Sequence, residues 1–195
     1  MYRWVAAGLG VVLVIGGCGE PEEVDGDPAI GGWSTAGCEL ARLPVEVTVG
    51  GVRMPATPGA LEAVMGRIDS AGRGAFAGSF AGLEVDQKRV RAIVYRVPSI
   101  EFDEFIRDAA ENTCVVVRDA PHSGTDLAVW HDRVLADLPF WSHRGIRIVS
   151  IGARHDGTGV EVATQDLQRA RLELMARYGS RAPLVFVESE PARPL

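Results

Sequence analysis

From residue 57 onward the apolar positions alternate between a helical and a strand period, and the switches divide the chain into ten segments. In "TPGALEAVMGRIDS", Leu61, Val64, Met65 and Ile68 fall on one helical face, with Thr57 as the cap and Pro58 at the first position. Two strand-like runs follow, "FAGLEVD" and "RVRAIVYRV", joined around Asp86-Gln87-Lys88. Ser99 then precedes a second helical stripe of Phe102, Phe105, Ile106 and Ala109, and "CVVVRDA" reads as a buried strand.

The same order returns about 65 residues later. "SGTDLAVWHDRVLADL" carries a Ser123/Asp126 capping pair and a stripe of Leu127, Trp130, Val134 and Leu138, ended by Pro139. "IRIVSIG" and "GVEVAT" form a hairpin whose turn signal is Asp156-Gly157. Thr164 is positioned to cap a helix bearing Leu167, Ala170, Leu174 and Tyr178, with Gly179 to end it, and "PLVFVE" is the last strand. The expected fold is α+β: two tandem α-β-β-α-β units, residues 57–122 and 123–195, with helices packed on one face of each sheet. One such unit is too small to cover both its faces, so the two are expected to pack together or share helices.

Composition supports a packed domain, since 47% of residues are hydrophobic and 24% charged. Of the 20 basic residues only Lys88 is a lysine, and the net charge is −6. An acidic chain without a basic run is a poor partner for nucleic acid, which needs clustered positive charge.

The N-terminus is of another kind. Arg3 precedes "WVAAGLGVVLVIGG", an uncharged run shorter than the roughly 20 residues of a membrane-spanning helix, and this is the pattern of a secretory signal. It ends in "IGGC", which resembles the bacterial lipobox, where the cysteine is acylated and the peptide before it removed. The resemblance implies a signal peptide at 1–17, a lipidated Cys18, and a protein anchored to the outer face of the cell membrane, or to a periplasmic face in a source with an outer membrane. An ordinary signal peptide with an incidental cysteine, or a buried helix, is the other reading. Cleavage removes Arg3 and takes the charge from −6 to −7. Residues 18–56 are expected as an acidic tether, because "GEPEEVDGDPAIGGWST" holds five acids and two prolines and too little apolar surface to fold. Outside the cytoplasm Cys38 and Cys114 are expected to pair, two separate buried thiols being the alternative.

Catalytic patterns are sparse. His122, His131, His143 and His155 lie about ten residues apart, without the close ligand pairs of a metal site. His122, Ser123 and Asp126 have the residue types of a triad, yet Ser123 and Asp126 serve better as a helix cap. The aromatic cluster "WHDRVLADLPFW" marks Trp130, His131 and Trp141 as a candidate binding edge, with a lid over the core as the plainer reading. No metal or cofactor is expected.

The element order, with "FAGSFAGLEVDQKRVRAIVYRV" followed by helix, strand, long helix and "GIRIVSIGARHDGTGVEVAT", resembles the pro-region of secreted bacterial serine proteases of the streptogrisin and alpha-lytic type. Phe76-Ala77-Gly78-Ser79-Phe80, the hairpin up to Val97, and Tyr178-Gly179 stand in the matching places, over residues 57–190. Such pro-regions act as folding catalysts and tight inhibitors of their own protease. Here no protease follows before Leu195, and there is no Gly-Asp-Ser-Gly signature. Fold alone does not carry function. The expected role is a lipid-anchored, non-enzymatic module that binds protein or peptide, a secreted protease being one such partner. A cell-envelope enzyme or small-ligand binder, with its site near Trp130, His131 and Trp141, is the alternative.

Overall fold

The computed structural model describes residues 31–40 and 42–190; Cys18 and the signal segment lie outside them. The chain begins with strand β1 (Gly32–Ser34), a 3-10 turn (Ala36–Glu39) and the strands β2 (Val45–Val49) and β3 (Val52–Ala56). The first unit is α1 (Gly59–Arg73), β4 (Phe80–Asp86), β5 (Arg91–Arg96), α2 (Ile100–Ala110) and β6 (Val115–Asp119). The second is α3 (Gly124–Ala136), a short α4 (Leu138–His143), β7 (Ile148–Ala153), β8 (Val160–Thr164), α5 (Leu167–Tyr178) and β9 (Leu184–Glu188). The fold is α+β, with the expected α-β-β-α-β order present twice.

Strand pairing repeats as well. β4 pairs antiparallel with β5 and β5 parallel with β6; β7 pairs antiparallel with β8 and β8 parallel with β9. The first strand of each hairpin carries a register shift near its start, between Phe80 and Gly82 and between Ile148 and Ser150. Corresponding elements start at Gly59 and Gly124, Phe80 and Ile148, Arg91 and Val160, Ile100 and Leu167, and Val115 and Leu184, offsets of 65 to 69 residues.

Each unit has its own core. Leu61, Val64 and Ile68 of α1 and Phe102 and Ile106 of α2 bury against Val94, Val115 and Val117. In the second unit Val134, Trp141, Leu174 and Tyr178 close on Val162 and Phe186. Each such side chain contributes about 1.5–3 kcal/mol on leaving water. Strand alternation sends Ala92 and Val94 of β5 into the first core, and Ile93 and Tyr95 to the opposite face with Ala120. The second unit covers that opposite face through the β7–β8 turn. Gly157, at φ +72°, is pressed there: a Cβ would lie 2.6 Å from both the Ala120 methyl and the His122 carbonyl oxygen. Across β5 the guanidinium of Arg96 is buried between Asp103, at 2.7 and 3.1 Å, and Asp119, which ties β5 to α2 and β6.

Order begins well before residue 56. β1 adds to the edge of β6, antiparallel, with Trp33 opposite Val117. Thr35 then clamps the chain, its Oγ1 donating to the Thr113 carbonyl at 2.8 Å and accepting from the Val115 N–H at 2.9 Å. Cys38 and Cys114 form a disulfide across 76 residues. The segment expected as tether up to residue 56 is therefore folded from Gly32. Three strand residues are too few to show a period, and their partner lies some 80 residues ahead.

Three local expectations change in the same way. Thr57 Oγ1 accepts from Gln87 Nε2 at 3.3 Å instead of capping α1, which begins at Gly59 after Pro58. Thr164 is still strand, paired with Ile148 and Glu188, so Asp166 caps α5 by accepting from the Arg169 N–H at 3.1 Å. Pro139 does not merely stop a helix: α3 ends at Ala136 and Pro139 sits in the first turn of α4, where its missing N–H costs nothing.

Candidate functional site

The β2–β3 hairpin is the most unusual surface of the molecule. Its register places Val45 opposite Ala56, Val47 opposite Met54 and Val49 opposite Val52, so six apolar residues share one face. Gly50 and Gly51, both at positive φ, form the two-residue turn that this register needs. The other face holds Glu46, Thr48, Arg53 and Pro55, with a long, exposed Glu46–Arg53 ion pair at 3.9 Å. The apolar face is not covered. Val49 is 62% exposed, Val52 64% and Met54 46%, and Leu43 at the root is 89% exposed. The sheet consists of these two strands, so both its backbone edges are open among the described residues. A lone hairpin in water is marginal. This one is held by its roots, through the Cys38 disulfide and a bond from Arg42 to the Asn112 carbonyl on one side and α1 on the other. Its signal in the sequence is the alternation of Val45, Val47 and Val49 up to a Gly-Gly pair.

A second feature lies where the units meet. A cleft of about 710 Å³ runs between the end of α1, the start of β4, the start of α3 and the end of β7. Much of its floor is small: Gly72, Ala77, Ala81, Gly82, Gly124 and Ala128. Asp69, Arg73, Thr125, Arg154 and His155 supply the polar groups. Arg154 is bound to Asp156 at 2.9 Å and lies 3.7 Å from Glu161. His155 Nε2 contacts Glu84 Oε2 at 2.9 Å, and Tyr95 donates to the other Glu84 oxygen at 2.9 Å. Burial, reinforced by that bond to a carboxylate, pushes the Tyr95 phenol up to about 12.

The aromatic candidates do not form one site. Trp141 is 1% exposed and donates from its indole nitrogen to the Tyr178 hydroxyl at 3.0 Å. Tyr178 in turn donates to Asp137 at 2.8 Å, and Arg177 clamps Asp137 with bonds of 2.8 and 3.1 Å. The hydrogen bond from Arg177, more than any other contact, holds the Asp137 carboxyl below its ordinary range. Trp130 meets the Tyr178 ring edge-on at 6.4 Å and lies under Arg133. His131 turns to its neighbour Asp132, 3.0 Å away. A shallow hollow of about 440 Å³ beside Trp141 is lined by Phe140, Arg144, Glu173, Ala176 and Arg177, with neither Trp130 nor His131 on its wall.

Ser123 is fully buried and closes a capping box, donating to Asp126 at 2.8 Å and accepting from the Asp126 N–H at 3.1 Å. A hydroxyl so placed has no path to a substrate. Among the described residues no group of three or more His, Cys, Asp or Glu is placed to hold a metal ion, and no helix is long and apolar enough to cross a membrane. Compared with family models, curated proteins and solved structures, the chain matches none.

Proposed function

We propose that this chain is a lipid-anchored, extracytoplasmic module that binds protein and performs no chemistry of its own. The observation that carries the reading is the β2–β3 hairpin, whose six-residue apolar face and two open backbone edges are presented to solvent on a folded support. Exposed contiguous apolar surface of this kind marks interaction sites, and an open edge accepts a partner strand by main-chain hydrogen bonds. The anchor rests on "IGGC" and Cys18. The specific partner is a secreted serine protease, which the chain inhibits or helps to fold, in keeping with its resemblance to the pro-regions.

Two measurements test this. Intact mass from a bacterial membrane fraction should begin at Cys18 with added acyl mass; an unprocessed chain would remove the anchor. The full chain, in detergent, should raise the refolding yield of a streptogrisin-type protease or slow its hydrolysis of a peptide substrate, and Val47→Glu with Met54→Glu should abolish the effect. Unchanged rates and yields with the native chain would remove the protease partner.

A further inference from the structure

The two edges of the hairpin sheet are not equivalent, and the difference follows from its turn. In a two-residue hairpin the residues that close the turn, here Val49 and Val52, exchange main-chain hydrogen bonds, and bonded pairs then alternate with non-bonded ones. Val47 with Met54 and Val45 with Ala56 are therefore bonded pairs as well. Between them, Thr48 with Arg53 and Glu46 with Pro55 turn their main-chain groups outward, away from the neighbouring strand. Pro55 has no N–H to offer, so the β3 edge is interrupted there, a common guard of strand edges. On β2 both Glu46 and Thr48 keep an outward N–H and C=O. Every residue of β2 is exposed, and among the described residues no strand lies beyond it. A Cβ added at Gly50 or Gly51 would meet nothing within 4 Å, so the turn stands clear of the domain too.

The side chains indicate what fits this edge. β3, the strand already bound to the inner side of β2, sets Val52 and Met54 against Val49 and Val47, and Arg53 against Thr48. A strand on the outer side meets the same pattern, with valines on one face and Glu46 and Thr48 on the other. Glu46 is 57% exposed, and its ion pair with Arg53 is 3.9 Å long, beyond hydrogen-bond reach. Its carboxylate therefore has room for a second cation. Opposite charges facing each other across neighbouring strands stabilise the pairing, and like charges weaken it.

We propose that the protein partner adds an extended strand to β2 and not to β3, antiparallel, with apolar side chains at alternate positions and a basic one opposite Glu46. This rests on the reading of the hairpin as the protein-binding surface, and it names the edge and the chemistry of the strand that the edge takes. Main-chain bonds to Glu46 and Thr48 give the affinity, and the Glu46 carboxylate gives the preference.

The test is fluorescence polarisation with the full chain in detergent and the labelled peptide Val-Thr-Val-Arg-Val, capped at both ends. Laid antiparallel on β2, its Arg falls opposite Glu46. Replacing that Arg with Glu should weaken binding roughly threefold to tenfold. A methyl group on the main-chain nitrogen of the peptide's Thr or Arg, which faces β2, should abolish binding; one on the central Val, which faces away, should not. Thr48→Pro removes an outward N–H and no bond of the hairpin, so it should abolish binding too, and Pro55→Ala should not weaken it. Binding indifferent to the position of the methyl group, equal affinity for the Glu peptide, or no binding below about 1 mM would overturn the proposal. The protease assay separates this from the parent reading. Peptide binding as expected with no effect on the protease removes the protease and leaves the β2 edge. A protease effect that survives Thr48→Pro removes the β2 edge and leaves the hairpin face.

Discussion

His155 Nε2 lies 2.9 Å from Glu84 Oε2, and this pair joins the β7–β8 turn of the second unit to the first sheet. The Tyr95 ring stands edge-on to His155 at 5.7 Å and its hydroxyl holds the same glutamate. Both members of the pair are well exposed, so His155→Ala should cost no more than about 1 kcal/mol in urea unfolding. Its effect belongs to the alignment of the units, read as raised amide exchange in the β7–β8 turn.

The Tyr95 phenol gives a pH signature. Its folded value, about 12, lies above the ordinary value of 10.0, so folding favours the neutral form. The stabilisation is complete below pH 10 and falls as pH rises toward 12. Tyr95→Phe does not titrate, so the stability difference between native chain and variant should shift against the native chain across that window. Thermal melts at pH 8 and pH 11 check the sign.

Loss of the disulfide should be costly. Cys38 and Cys114 close a loop across 76 residues and hold β1 and the hairpin root. Cys38→Ser should lower stability by about 2–4 kcal/mol, and reduction of the native chain should do the same with a gain of two hydrogens in mass.

Two glycine-to-alanine changes should have opposite signs. Gly157 sits at positive φ with atoms 2.6 Å from any added Cβ, so Gly157→Ala should destabilise by about 1–3 kcal/mol. Gly66 lies inside α1 with nothing within 4 Å, so Gly66→Ala should stabilise by about 0.5–1 kcal/mol. Chemical denaturation of both variants reads the contrast.

Trp141 and Val47 separate packing from binding. Trp141→Ala empties the second core and strands the Tyr178 hydroxyl bond, and should cost about 3–5 kcal/mol. Val47→Glu changes an exposed hairpin position and should leave unfolding within about 0.5 kcal/mol of native. A large loss of stability in Val47→Glu would mean that the hairpin face packs on the domain in solution.

Most of the regular structure was legible because it is encoded locally. Leu61, Val64 and Ile68 declare a helix by spacing alone, and Ala92 and Val94 against Ile93 and Tyr95 declare a strand with two buried faces. The Ser123/Asp126 box acts within three residues of itself, so its capping role could be read directly. The Cys38–Cys114 pair was expected from the small number of cysteines, and the structure forms it. Thr57 and Thr164 look like caps in sequence yet are claimed by Gln87 and by the β7–β8 ladder, which only packing brings near. β1 exists because β6 offers an edge, and the cleft exists because α3 and the end of β7 come together beside the start of β4. The sequence by itself determined most of the helices and strands from residue 57 onward, since side-chain sterics and periodic burial act over a few residues. Only the tertiary structure decided which strand edges and apolar faces stay open, because that depends on contacts between elements tens of residues apart.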